Sequence, residues 1–142
     1  MKRQFTFKVF VRDVAVALVP PIVVLSVHLF RHQIWPGLPQ LDVLAHFLGG
    51  VAIAWTAMLL WRSWTAQGFI PSSCPWWLRD FTVWGTVAIA GIFWEFYEWT
   101  MDHYFFTVMQ PSLTDTMHDF LMDLSGGLLF LVVYSLVSRK KA

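Results

Sequence analysis

Ile92-Phe93-Trp94-Glu95-Phe96-Tyr97-Glu98-Trp99 sets two carboxylates three residues apart in a run that is otherwise apolar and aromatic. On a helix, that spacing puts both on one face, about one turn apart. Ionisable groups at membrane depth are costly, roughly 2.5–3.5 kcal/mol each on insertion scales. Two of them on one turn predict partners at the same depth on other helices.

The rest of the chain says that this run lies at membrane depth. Its 142 residues are 57% hydrophobic and 13% charged, with nine Trp and thirteen Phe. A soluble domain carries about 25% charged residues. The mean hydropathy of +0.57 points the same way. The expected class is an all-α, polytopic membrane protein of one domain, residues 1–142, with the lipid bilayer as its solvent. No basic cluster marks a nucleic-acid surface. Cys74 is the one cysteine, which excludes an intrachain disulfide and a cysteine-based zinc site.

Working outward, four apolar stretches fit spans of about 20 residues across a core of roughly 30 Å. They cover approximately 14–30, 41–61, 81–101 and 116–137. The charged start resembles a signal peptide, but no small-residue cleavage site follows, so a retained anchor is expected. Pro20-Pro21 fall within the first span and free carbonyls that neighbouring helices must satisfy. Arg62–Arg79 and Asp102–Met117 read as loops, the second as a loop or partly re-entrant segment. With four spans, Lys2, Arg3, Lys8, Arg12, Arg62, Arg79, Arg139, Lys140 and Lys141 share one side, and Arg31 takes the other. The positive-inside rule then puts both termini in the cytoplasm. Trp61, Trp64, Trp76 and Trp77 fall at the inner interface, Trp35 and Trp99 at the outer one.

That topology, set by Lys and Arg alone, brings the acidic groups to one level. Asp42 and His46 lie in the outermost turns of the second span, Glu95 and Glu98 in the last turns of the third, and Asp119 and Asp123 in the first turns of the fourth. Each stripe continues into glycine one turn deeper: Gly49-Gly50, Gly91 and Gly126-Gly127. Small residues let membrane helices approach closely. Five such carboxylates cannot all stay ionised in a low dielectric without a counter-charge. Either several are protonated and structural, or cations supply the balance. Oxygen ligands with imidazole suit magnesium, manganese, iron or zinc. The expected metal ligands are Asp42, His46, Glu95, Glu98, Asp119 and Asp123, with Asp115 and His118 as further candidates. Glu95 and Glu98 are also the candidate general bases. Plainer readings are given to other residues. His28 and His32 are assigned to the interface, His103 to a loop, Trp94 and Tyr97 to packing, and Thr116 or Asp115 to the N-cap of the fourth helix.

Asp42-Val-Leu-Ala-His46-Phe-Leu-Gly49, Trp94-Glu95-Phe-Tyr-Glu98-Trp99 and Asp115-Thr116-Met-His-Asp119, followed by Gly126, resemble the signature blocks of the YjdF-like bacterial inner-membrane proteins. A looser likeness is to the VanZ-like membrane family. The resemblance implies an inner-membrane location and marks Asp42, His46, Glu95, Glu98, Asp115 and Asp119; it implies no activity. The chain departs from the pattern at Met117, where Gln is common, and at Asp123, where the family is usually apolar.

Three functions remain open. One is a metal-dependent hydrolase of an envelope or lipid substrate, with metal-activated water and a glutamate base. Another is a non-catalytic accessory or scaffold subunit, self-associating or in a larger membrane complex, whose polar cluster is structural. The third and weakest is a cation or proton transporter, because the inner halves of the helices lack polar residues to continue a path.

Overall fold

The computed structural model describes residues 6–34 and 40–139, with side chains throughout except at 31–34, 40 and 139. Lys2, Arg3, Lys140, Lys141, Trp35 and the expected loop at 35–39 lie outside the described residues, as does the side chain of His32. The described chain is all α: α1 (Phe7–Ile34), α2 (Gln40–Gln67), α3 (Trp76–Phe105) and α4 (Leu113–Arg139).

The helices run past the expected spans. Arg62–Gln67 and Trp76–Arg79 are helical, so the inner connection shrinks to the stretch around Gly68. The true breakers are Gly68, at φ 83, and Pro75, which takes the extended N-cap position of α3. At the other end α3 continues to Phe105 and stops at Phe106, which adopts the left-handed conformation. α4 starts three residues before Thr116. Ser112 Oγ accepts the Asp115 amide at 3.1 Å, so Ser112 is the cap, not Thr116 or Asp115.

Contacts at both ends make the bundle antiparallel. The end of α1 meets the start of α2 and the end of α3 through His28, Asp42 and Glu98, and the start of α2 meets the start of α4 through His46 and Asp119. At the opposite end Ser63 Oγ donates to Asp13 Oδ2 at 2.6 Å, tying α2 to α1. The Arg79 guanidinium lies 5.2 Å from the Tyr134 ring centre, tying α3 to α4.

α2 is the central helix and packs on all three others; α3 also packs on α4, while the backbone of α1 packs closely on α2 alone among the described helices and reaches α3 through the His28 side chain. The α2–α4 approach is the closest. A Cβ at Gly50 would overlap the Asp123 carbonyl oxygen, and one at Gly126 would overlap that of Phe47. Glycine at both positions lets the two backbones touch. α1 runs unbroken through Pro20-Pro21. Pro21 has no N–H for the carbonyl of Ala17, four residues back. Thr56 Oγ1 on α2 donates to that carbonyl at 2.5 Å, the neighbouring-helix help that the sequence predicts.

A small apolar core of Ala54, Met58, Val83, Val87 and Leu131 joins α2, α3 and α4. Most large apolar side chains instead face outward, whereas His28, His46, Glu95, Glu98, Asp119 and Asp123 are buried. Polar inside and apolar outside is the arrangement a bilayer dictates. α1, α2 and α4 are long and apolar enough to cross a membrane. Glu95 and Glu98 lower the hydropathy of α3, yet both are buried, and α3 presents Phe81, Ile89, Ile92, Phe93 and Phe96 outward.

Candidate metal centre

The side chains expected to converge do so, on four helices rather than three. His46 and Asp42, one turn apart on α2, approach to 3.9 Å, Nε2 to Oδ1. His46 Nε2 also lies 3.8 Å from Asp119 Oδ1 on α4. From α3, Glu95 completes a group with His46 and Asp119 whose ligand atoms all lie within 4.8 Å of one another. A second such group joins His28, Asp42 and His46, and a third joins Asp42, Asp115 and Asp119. Each pair of groups has one residue in common, His46, Asp42 or Asp119. The donor set is richer in imidazole towards α1 and all carboxylate towards the start of α4.

Each imidazole is backed by a carboxylate on its far nitrogen. His46 Nδ1 faces Asp123 Oδ2 at 3.5 Å. With Asp123 ionised and the ring neutral, Nδ1 would donate and Nε2 would keep its lone pair towards Asp42, Asp119 and Glu95. That Nε2 is buried and has no hydrogen-bond partner among the described residues. His28 Nε2 lies 3.5 Å from Glu98 Oε1, while its Nδ1 lies 3.5 Å from Asp42 Oδ1. Histidine ligands of metals are oriented in this way, by a carboxylate on the other ring nitrogen. Asp123 and Glu98 therefore stand behind the imidazoles, outside the three groups.

The glutamates are themselves held. Trp94 Nε1 donates to Glu98 Oε1 at 2.9 Å, one turn along α3. Gln110 Nε2 donates to Glu95 Oε2 at 2.7 Å, leaving the buried Oε1 without a hydrogen-bond partner among the described residues. Gln110 sits in the connection after α3, which folds back over the site. Asp102 makes that fold: it accepts from Thr107 Oγ1 at 2.6 Å and from the amides of Met109 and Gln110, each at 2.8 Å. Burial would raise the pKa of Asp102, but these three bonds outweigh it and hold the carboxyl below its ordinary 3.8.

Several expectations change. His28 is not interfacial but 4% exposed and inside the cluster. Its signal was present in the sequence: α1 runs outward, so its last turns reach the depth of Asp42. Trp94 is more than packing, since it holds Glu98. Gln110 gave no signal, because its contact depends on how the loop folds. Asp115 reaches the cluster, whereas His118 is exposed and belongs to none of the three groups. His103 is also exposed, stacked on Trp99 with ring centres 5.2 Å apart. Gly91 gives Asp123 its room: a Cβ there would stand 2.7 Å from Asp123 Oδ2.

His28 Nδ1 to Asp42, and His46 Nε2 to Asp42 and Asp119, are 3.5–3.9 Å apart, longer than good hydrogen bonds, and leave room for a small cation among them. The residues fit a divalent metal in donor type, in number and in the backing of each imidazole. No curated protein and no solved structure matches the chain. A family model described as "Predicted membrane protein (DUF2238)" matches residues 5–140, and the chain belongs to that family.

Proposed function

We propose that the chain is a four-span protein of the bacterial inner membrane, both termini cytoplasmic, that binds divalent metal at the outer-leaflet end of the bundle and hydrolyses a lipid or envelope substrate there. The observation that carries the reading is His46. Its Nε2 is buried without a hydrogen-bond partner among the described residues and is grouped with Asp42, Asp119 and Glu95, with Asp123 on the opposite nitrogen. With the ring neutral and no cation beside it, such an atom is an unsatisfied buried polar group, which costs about 1–3 kcal/mol.

The proposed ligands are His28, Asp42, His46, Glu95 and Asp119, with Asp115 at the rim. Glu98 and Asp123 position the imidazoles. Bound divalent metal supplies a Lewis acid and water activated near neutral pH. Gln110 holds Glu95 Oε2, so Oε1 is its uncommitted oxygen among the described residues: on the metal it makes Glu95 a ligand, and off the metal it makes Glu95 the better placed of the two candidate bases. The likeness of the three sequence blocks to YjdF-like proteins, and more loosely to VanZ-like ones, supports the bacterial inner-membrane location.

Transport fits less well. The polar groups at the other end, Asp13, Ser63 and Gln67, bond to one another, and the core of Ala54, Met58, Val83, Val87 and Leu131 intervenes. The accessory-subunit reading has one observation in its favour, the aromatic outer surface of α3 at Phe93, Phe96, Trp99, Tyr104 and Phe105.

The test is metal content by mass spectrometry on detergent-purified protein, with His46→Ala and Glu98→Ala variants of equal folding. Near-stoichiometric metal in the parent, lost in His46→Ala and reduced in Glu98→Ala, supports the reading. No metal after loading with magnesium, manganese, iron or zinc, with the variants merely less stable, replaces it by a protonated structural cluster.

A further inference from the structure

Directly below the cluster, between α1, α2 and α3, lies a cavity of about 190 Å³. Its body is apolar, walled by Pro21, Leu25, Ile53, Val87 and Ala90. Its polar lining is His28, His46, Trp94 and Asp123, so the two imidazoles line both the cavity and the candidate metal centre. His28 Nε2 and His46 Nε2 are both buried and have no hydrogen-bond partner among the described residues, the first lying 3.5 Å from Glu98 Oε1. The cavity has room because the backbone of α1 packs closely on α2 alone among the described helices and reaches α3 through the His28 side chain. Leu25 lines it and is 40% exposed, so it opens sideways to the surface of the bundle.

We infer that this slot seats one hydrocarbon chain of a membrane lipid, which enters laterally between α1 and α3 and brings its polar head to the His28–His46 end. The head-group half of the inference rests on the metal-centre reading; the chain half rests on the cavity. Three observations choose a lipid chain over other occupants. The opening faces the apolar outer surface that the bilayer covers. The lining is apolar along its length and polar at one end, the pattern of an amphiphile rather than of an ion path. The volume is near that of the roughly 150 Å³ apolar cavity that holds a benzene ring. It therefore suits a segment of a single chain and is too narrow for a sterol, two chains or a helix.

The experiment uses the full chain in nanodiscs of phosphatidylethanolamine and phosphatidylglycerol, doped with phosphatidylethanolamine bearing a mid-chain diazirine. Adducts are mapped by mass spectrometry, and metal content is measured on the same samples. The expected result is labelling of Leu25, Ile53, Val87 and Ala90 above the level at Ile89 and Phe93, which face outward on α3. Ala90→Trp fills the slot. It should lower slot labelling by about tenfold or more, equivalent to a loss of ~1.4 kcal/mol, with Ile89 labelling unchanged. Ile53→Phe, a smaller filling change from the opposite wall, should act in the same direction if Ala90→Trp does not fold. Labelling no higher in the slot than at Ile89 and Phe93, or undiminished in a folded slot-filling variant, overturns the inference. Slot labelling without bound metal would sink the metal centre and leave the slot standing; metal without slot labelling would do the reverse.

Discussion

Gly50→Ala sets two effects of known size against each other. In a helix interior, alanine is favoured over glycine by up to ~1 kcal/mol. At Gly50, however, the new methyl would overlap the Asp123 carbonyl oxygen and stand 2.8 Å from its carbon. Both are backbone atoms and cannot rotate away. Relief requires α2 and α4 to separate by something on the order of 1 Å, and overpacking of this kind costs about 1–3 kcal/mol. Overpacking outweighs propensity, and a net loss of about 1–2 kcal/mol is expected. The separation also stretches the site, since His46 Nε2 to Asp119 Oδ1 is already 3.8 Å and His46 Nδ1 to Asp123 Oδ2 is 3.5 Å. Metal affinity should fall by about tenfold or more, a change of ~1.4 kcal/mol. Gly85 is the control, because a Cβ there meets nothing within 4 Å. Gly85→Ala should be neutral or stabilising, by up to ~1 kcal/mol, with metal binding intact. The assays are unfolding midpoints in one detergent and competition with a metal-sensitive dye. If Gly50→Ala is as stable as Gly85→Ala and binds metal as tightly, the close α2–α4 approach and its role in shaping the site are refuted.

Other outcomes follow from single bonds. Thr56→Val strands the Ala17 carbonyl that Pro21 leaves without an amide donor, so about 1–3 kcal/mol of stability is lost. In a Pro21→Ala background the restored amide takes over, and a double-mutant cycle should show the Thr56→Val penalty shrink; an unchanged penalty would contradict this role. Asp102→Ala should release the 106–112 connection, seen as faster hydrogen exchange at Met109 and Gln110 after correction for intrinsic rates, with α4 unchanged. The pH sign follows from the lowered folded pKa of Asp102. The protection it confers is full above the ordinary carboxylate value of 3.8 and is lost as pH falls through the lower folded value. Protection of these two amides that is lost instead between pH 5 and 7 would argue against this assignment.

Much of this architecture is written in the sequence because a bilayer leaves few choices. Buried carboxylates at Glu95 and Glu98 demand partners, and the Lys and Arg distribution places Asp42, His46, Asp119 and Asp123 at their level. The glycine stripes are legible for the same reason, since only glycine at Gly50 and Gly126 lets the helices touch. Helix ends are less legible. Hydropathy fades at the headgroup region while the hydrogen-bonded helix continues to Gln67 and Phe105. A histidine near a span end fits the interface equally well, which is why the sequence alone puts His28 there; its partners Asp42 and Glu98 lie on α2 and α3. Gln110 depends on a loop folded by Asp102, and no periodicity reports that. The division between ligands and the carboxylates behind them is likewise a matter of which ring nitrogen each one faces. Spacing along a helix cannot tell Asp119 from Asp123 in that respect.

The central claim is that His46 and His28 offer ring nitrogens, with carboxylates around them, to a divalent metal. X-ray absorption at the metal edge of the loaded protein reads those ligands directly. The account predicts a first shell of nitrogen and oxygen at about 2.0–2.2 Å, with the multiple-scattering signature of imidazole. That signature should weaken in His28→Ala and be lost, together with the metal, in His46→Ala. A spectrum of oxygen scatterers alone that neither variant changes would contradict the account.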